Sequence, residues 1–239
     1  MIRTFKALSL LLAYPSAELQ RAAPELRSAL AAEGLLTEQR HPDLFALIDQ
    51  LATQDIYELQ ERYVFLFDRT RSLSLQLFEH VHGEGRDRGQ AMVDLQALYE
   101  AHGLMVEARE LPDYLPLFLE FLATRPLDEA RALLGQPLHV LTTLRERLIK
   151  RGSDYASVFA ALATLADGEA SDKDLAIVQS EPDDDPNDLE ALDRAWEETA
   201  VTFGPQSGPD EGCPKAEWML KQMDTDKALP ASVPVSVTR

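Results

Sequence analysis

The chain has 239 residues, of which 45% are hydrophobic, so it is long enough to bury a sizeable apolar core. Its 41 acidic and 23 basic residues give a formal net charge of −18. That charge argues against nucleic acid and against an anionic membrane surface as partners, because both bind basic faces. A basic peptide or protein would complement it, although a negative charge also simply favours solubility. The single cysteine, Cys213, excludes an internal disulfide and a four-thiolate metal site.

The first apolar run, residues 7–13, follows Arg3 and Lys6 and superficially resembles a signal peptide. It is short for that role, and it leads into Tyr14 and Pro15 with no small-x-small cleavage site. We therefore interpret it as a first core helix. No apolar run approaches the ~20 residues that a membrane span needs, so the sequence predicts a soluble, cytoplasmic protein.

Helix signals follow one another closely through residues 1–166. Pro15-Ser16 predicts one helix start, Pro24 predicts the first turn of a second helix, and Gly34 predicts its end. His41-Pro42 opens the next helix. Further apolar stripes at helical spacing comprise Ile56, Leu59, Tyr63 and Phe67, then Met92, Leu95 and Tyr99 before Gly103, then Leu111, Leu115, Phe118 and Leu122 after Pro112, and finally Leu141, Leu144 and Leu148 before Gly152.

A last helix is predicted after Ser153, with Tyr155, Phe159 and Leu162 on one face. No segment alternates with period two, and no repeat of 20–50 residues occurs. The fold class is therefore all-α, an irregular single-domain bundle of about eight to ten helices.

The composition changes near Asp167. Residues 1–166 carry a net charge of −6, whereas residues 167–239 carry −12 and contain several prolines and glycines. We predict a helical domain over residues 1–166 and an acidic, largely disordered tail over residues 167–239. Leu189, Leu192 and Trp196 are spaced 3 and 4 apart, which predicts a short amphipathic helix near residues 188–200 of that tail.

Glu79, His80 and His82 offer three metal-ligand types within four residues, and a helical metal-dependent hydrolase would use such a set. Residues i and i+2 of a helix do not share a face, however, so the two histidines chelate together only from a loop. The spacing matches none of the established zinc motifs. The simpler interpretation is that imidazoles at a helix end bond backbone carbonyls. The sequence predicts no metal site.

Other catalytic patterns are missing from the sequence. It has no G-x-S-x-G, no phosphate-binding loop and no strand-associated G-x-G-x-x-G. Cys213 lies among carboxylates, which raise rather than lower the pKa of a thiol. We therefore predict a binding protein without catalytic activity and without a cofactor of its own.

The most specific patterns are five stretches: YVFLFD at residues 63–68, LQLFEHVHGE at 75–84, RDRGQAM at 86–92, ELPDYLPLFLEF at 110–121, and WEETAVTF at 196–203. Together they resemble the NarJ-type assembly chaperones of nitrate reductase, a branch of the TorD/DmsD/NarJ family. The likeness runs in order from residue 1 to about residue 203. One departure is Tyr114, since the wider family often has histidine after Pro-Asp.

The resemblance implies an all-helical, TorD-like chaperone without catalytic activity. Such proteins bind the N-terminal leader of a molybdenum-containing catalytic subunit, their client. They hold that subunit for cofactor insertion before it docks at the membrane, and they are absent from the mature enzyme. A sister chaperone for a dimethyl sulfoxide or trimethylamine oxide reductase is the alternative within the family. Residues 79–84 argue for the nitrate reductase branch.

The expected client-binding surface combines an apolar stripe with carboxylates. The aromatic side chains, if left partly uncovered, would receive the apolar face of a client helix. The acidic side chains would meet its basic face. The predicted residues are Tyr63, Leu66, Phe67, Phe78, His80, Asp87, Glu110, Asp113 and Tyr114. The aromatic residues also have a simpler interpretation as core residues, and Asp87 and Asp113 as acidic residues at helix starts.

Overall fold

A computed structural model describes residues 1–82, 86–106, 110–180 and 183–190. The chain divides into two units, Met1–Trp196 and Glu197–Arg239, and the described residues all belong to the first. Within them the chain is helical and forms no strand, which confirms the predicted all-α class. The helices are α1 Arg3–Leu11, α2 Ala17–Glu33, α3 Pro42–Thr53, α4 Ile56–Phe67, α5 Glu79–His82, α6 Arg86–Ala101, α7 Leu115–Ala123, α8 Leu127–Gly135, α9 Leu138–Lys150, α10 Ala156–Leu165 and α11 Asp172–Gln179.

The helices pack around one apolar core. Helix α1 lies against α2 and α7, α2 lies against α3, and α9 lies against α10 and α11. Fully buried aromatic rings such as Phe5, Phe45, Phe121 and Phe159 fill the space between them. Burying such rings removes large apolar areas from water, which is the main contribution to the stability of the bundle.

Helix α2 begins and ends where the local sequence predicts. The Ser16 hydroxyl accepts a hydrogen bond from Leu19 N at 3.1 Å, and Gly34 ends the helix with φ at 72°. The predicted helix start at Pro24 is wrong, because α2 runs unbroken through this residue. Its buried face, Leu19, Ala23, Leu26 and Leu30, continues on both sides of the proline, and this packing offsets the missing hydrogen bond.

Helix α7 begins later than its apolar stripe suggests. Residues 110–114 form a turn, and Leu115 is the first helical residue. Leu115 N donates to the carbonyl of Leu75 at 2.9 Å, so a distant segment binds the chain just before the helix. Asp113 therefore precedes α7 and does not lie in its first turn, where the sequence placed it.

Helix α11 lies beyond residue 166 and packs on α9, where the side chain of Val178 is buried. The turn before it is tied to α8, because Asp167 N donates to Arg131 O and the Arg131 Nε donates to Asp167 Oδ1, both at 3.0 Å. A Cβ built on Gly135 would lie 2.2 Å from the Asp167 carbonyl oxygen, so only glycine fits there. Helical backbone begins again at Leu189, but most of the predicted amphipathic helix lies outside the described residues.

Candidate functional site

The site is built around the segment that joins α4 to α5, residues 71–78, which we call the wall segment. It starts with a 3-10 turn, Arg71–Leu73, and then runs beside the turn that precedes α7. Gln76 forms an isolated antiparallel bridge with Tyr114, and Leu77 N donates to Asp113 O at 3.1 Å. This pairing places Gln76 and Tyr114 side by side next to the end of α4.

A recess of about 380 Å³ opens between the wall segment, α4 and Tyr14, which lies just after α1. We call it the aromatic recess. It is lined by Tyr14, Tyr63, Val64, Phe67, Asp68, Ser74, Leu75, Gln76, Glu110 and Tyr114. Four of the nine predicted binding residues, Tyr63, Phe67, Glu110 and Tyr114, thus meet in one place.

The aromatic side chains of the recess contact one another. The rings of Tyr14 and Tyr63 meet edge to face with centroids 5.6 Å apart, and the Phe67 ring lies 5.0 Å from Tyr63. The Tyr63 hydroxyl donates to Leu12 O at 2.8 Å and lies 3.4 Å from the Tyr114 hydroxyl. Burial raises the pKa of both hydroxyls, so both are neutral at physiological pH.

Asp113 is a buried organiser of the wall segment. Its side chain is 0% exposed, and its Oδ2 accepts a hydrogen bond from Phe78 N at 3.0 Å. The other oxygen, Oδ1, has no hydrogen-bond partner among the described residues. Burial raises the pKa of this carboxyl. The predicted contact with a basic client is therefore not a direct surface contact in this arrangement, and its part in binding stays a prediction.

His80 is also buried, with 2% of its surface exposed. Its Nε2 lies 2.8 Å from the carbonyl oxygen of Ser74, and a carbonyl accepts, so this nitrogen carries the proton. Burial lowers the pKa of the imidazole, which keeps it neutral. The geometry matches the simpler sequence interpretation, an imidazole bonded to a backbone carbonyl. Within the described part of the chain, no three metal-ligand side chains lie together, and the side chain of His82 is outside that part.

The other predicted residues take different positions. Leu66 faces the core with 5% exposure, and Phe78 is half-buried against the same core. Asp87 belongs to α6, and its side chain lies outside what the structure describes.

Sequence reasoning missed Arg147, a buried residue of α9 that is 3% exposed. Its Nη1 donates to Ser72 O at 2.8 Å, and its Nη2 donates to Val178 O at 3.3 Å. One turn later, Arg151 Nη2 donates to the Ser72 hydroxyl and to Asp183 Oδ1, both at 2.9 Å. The two arginines join the wall segment to α11 and the acidic residues after it. The sequence does contain a signal for a buried role of Arg147, because this arginine lies on the apolar stripe of α9.

A second recess, of about 620 Å³, lies between α1 and α2, and we call it the N-terminal recess. Its lining is largely apolar but includes the cationic residues Arg3 and Lys6, with Glu25 on the opposite helix. Lys6 forms an ion pair with Glu120 of α7. The two recesses therefore differ in charge: carboxylates line one, and basic groups predominate in the other.

Residues 13–161, more than half of the chain, match the family described as the nitrate reductase delta subunit. The chain belongs to the nitrate reductase delta subunit family. Both the family assignment and the predicted branch are thereby confirmed. The NarJ and NarW relatives in this family are named as assembly chaperones and not as catalytic enzymes.

Two relatives from Escherichia coli K12 extend the family likeness over most of the chain. NarJ, named a nitrate reductase molybdenum cofactor assembly chaperone, is 46% identical over 206 residues, covering 86% of this chain and 85% of the relative. NarW, described as a chaperone of the same kind, is 41% identical over 203 residues, covering 84% of each chain. The recess residues from Tyr14 to Tyr114 fall inside the segment that defines the family.

A solved structure supports the fold of this delta subunit family member. A protein from Archaeoglobus fulgidus, described as a redox enzyme maturation protein, superposes with a TM-score of 0.50 at 23% identity. The superposition covers 68% of this chain and 91% of the archaeal chain. At 23% identity, this likeness supports the fold alone. No helix in the described ranges is both long and apolar enough to cross a membrane.

Proposed function

We propose that this chain is a cytoplasmic, system-specific chaperone for respiratory nitrate reductase. It binds the N-terminal leader of the molybdenum-containing catalytic subunit and holds that subunit for molybdenum cofactor insertion before membrane docking. It then leaves, and it is not part of the mature enzyme. The observation that carries the proposal is the 46% identity over 86% of the chain to a relative named as such an assembly chaperone.

The aromatic recess supports a peptide-binding role. It joins apolar surface from Tyr63 and Phe67 with carboxylates of Asp68 and Glu110, the combination that an amphipathic basic segment requires. The net charge of −18 attracts such a segment at long range. Leu66, Phe78, His80 and Asp113 would contribute by holding the walls of the recess in place. Asp87 remains a proposed contact.

The alternatives are weaker. A metal-dependent hydrolase based on Glu79, His80 and His82 would need a cluster of ligands, and within the described residues no three metal-ligand side chains lie together. A sister chaperone for another reductase would not account for two relatives that are both named for nitrate reductase.

Co-purification tests the proposal. The tagged full chain is expressed with the nitrate reductase catalytic subunit, either intact or lacking its N-terminal leader. We expect capture of the intact subunit and loss of most capture without the leader. Equal capture of both forms would place recognition elsewhere on the subunit. Absence of capture, with a dimethyl sulfoxide reductase subunit retained instead, would overturn the assignment to nitrate reductase.

A further inference from the structure

The aromatic recess has the chemistry of a receptor for one cationic side chain. Its walls include the rings of Tyr14, Tyr63 and Phe67, and ring faces carry negative electrostatic potential. A guanidinium or ammonium group within about 6 Å of such a face is attracted to it. The Tyr63 and Tyr114 hydroxyls are neutral, so they add hydrogen-bonding atoms without adding charge.

Two carboxylates reinforce this preference. Asp68 directly follows α4, where the partial negative charge of the helix end adds to that of its side chain. Glu110 belongs to the turn before α7, and both residues are exposed and line the recess. The ion pairs formed by the described residues involve neither of them. The described lining of the recess contains no basic residue that would neutralise them.

Gln76 adds an independent polar signal. It lines the recess, and its Oε1 is buried without a hydrogen-bond donor among the described residues. A buried acceptor without a donor is costly, so a ligand that supplies N–H groups is favoured here. Arginine supplies five N–H donors in a planar group that also stacks on aromatic rings, whereas lysine supplies three from a compact ammonium.

We propose that the aromatic recess binds a single arginine side chain of the client leader, with its guanidinium between Asp68 and Glu110 and against the ring of Tyr14. The proposal rests on the proposed function, because it names what that site recognises. The three new specificity residues are Tyr14, Asp68 and Gln76. The N-terminal recess cannot substitute, because Arg3 and Lys6 repel a cation.

Calorimetric titration with a synthetic leader peptide of the nitrate reductase catalytic subunit tests the assignment. Each arginine of the peptide is replaced in turn by citrulline, which keeps the shape and removes the charge. We expect one replacement to weaken binding about tenfold, and the double variant Asp68→Asn/Glu110→Gln to weaken binding of the native peptide by a similar factor. The variant should bind that citrulline peptide and the native peptide equally well, because the shared interaction is already lost.

Two further variants distinguish the contribution of the Tyr14 ring to leader affinity from the contribution of the net charge. Tyr14 is half exposed, so Tyr14→Leu should fold normally and weaken binding about threefold by loss of the ring. Glu25→Gln removes one negative charge from the N-terminal recess and should leave the affinity unchanged at moderate salt. If Glu25→Gln weakens binding as much as Glu110→Gln does, general attraction explains the effect and the arginine site is rejected.

A direct probe keeps the site testable if the leader does not bind. N-acetyl-arginine methylamide, followed by NMR, should shift resonances of Tyr14 and Tyr114 in the wild-type chain and not in the double variant, and the citrulline analogue should shift neither. Those shifts without leader binding would retain the arginine site and refute leader recognition. If the leader binds with the same affinity whichever arginine is replaced by citrulline, and also binds the double variant equally well, leader recognition is retained and the arginine site is refuted. A lysine replacement that binds as tightly as arginine would overturn the preference for guanidinium.

Discussion

The wall segment is held at each end by a buried ionisable side chain, and the hydrogen bonds of these two side chains are satisfied to different degrees. At the Ser72 end, Arg147 donates to two backbone carbonyls and its Nε lies 3.9 Å from Asp183 Oδ1. At the Phe78 end, Asp113 accepts from Phe78 N with one oxygen and leaves the other without a partner in the described chain. A buried charge stabilises a fold only when its hydrogen bonds are made, so the Ser72 end is the firmer anchor.

This difference affects the recess because Gln76 lies between the two anchors, closer to the weaker one. A buried carboxylate oxygen without a hydrogen-bond donor is costly, which lowers the free energy that local opening requires at that end. We therefore expect the wall segment to move at Leu77 and Phe78 while Ser72 remains fixed. Such movement would widen or narrow the recess without disturbing the helical core.

Removing the firm anchor should produce the largest effect. Arg147→Met leaves the Ser72 and Val178 carbonyls without their donor, so we expect a loss of ~3 kcal/mol in the free energy of unfolding. Urea unfolding at pH 7 measures it. Arg145→Met, an exposed change on the same helix, is the control and should change stability by less than ~0.5 kcal/mol. Equal midpoints for the two variants would show that Arg147 is not an anchor.

Removing the partners of that anchor should have a slightly smaller effect. A chain ending at residue 166 lacks α11 and Asp183, yet it retains the main core, so it should stay folded but lose ~2 kcal/mol. A chain ending at residue 190 retains them and should unfold at the urea midpoint of the full chain. Should the 166-residue chain match the 190-residue chain, the predicted domain boundary at 166 would also be the energetic one.

Substitutions of the weaker anchor, Asp113, should lower the free energy of unfolding by less. Asp113→Ala removes the acceptor of Phe78 N and should cost about 1–2 kcal/mol, whereas Asp113→Asn keeps an oxygen there and should cost less. Amide exchange should accelerate at Leu77 and Phe78 in the alanine variant only. Because Asp113 is buried, Asp113→Asn should leave the salt dependence of leader binding unchanged, unlike Glu110→Gln. A flattened salt dependence would restore Asp113 as a direct contact for the client.

The smallest effect concerns pH and the bond between His80 and Ser74. Because burial lowers the folded-state pKa of His80 below its ordinary value of 6.5, the unfolded chain takes up the proton first. Stability should therefore decrease as pH falls through 6.5, and His80→Gln should reduce that decrease. Thermal unfolding at pH 7.5 and 5.5 compares the two proteins, whose other histidines are the same. An identical pH response in both would exclude His80 as a contributor.

The local features of the fold could be predicted from sequence, because their causes lie within a few residues. Ser16, Gly34 and Gly103 end or begin helices as their side chains and φ angles require. The start of α7 could not be predicted from the sequence, because it depends on a hydrogen bond to Leu75, forty residues earlier in the chain. Long-range pairing of this kind leaves no periodic signal.

The candidate site also has one part that the sequence predicts and another part that depends on long-range contacts. Tyr63 and Phe67 share one helix face, so their proximity was predictable from their spacing. Tyr14, Asp68 and Gln76 come from three separated segments that only the folded chain brings together. The role of Arg147 could not be predicted from the sequence, because its partners, Ser72 and Val178, are 75 and 31 residues away.

The close contact at Gly135 limits how the sequence of this family member can vary. A methyl group there would collide with the backbone oxygen of Asp167, which cannot rotate away as a side chain would. Even alanine must therefore displace the turn that leads into α11, and with it the helix whose Val178 carbonyl binds Arg147. A saturation library at position 135 should retain glycine alone under thermal selection, although this position lines neither recess. The contact between Gly135 and Asp167 thus keeps the anchoring helix in register.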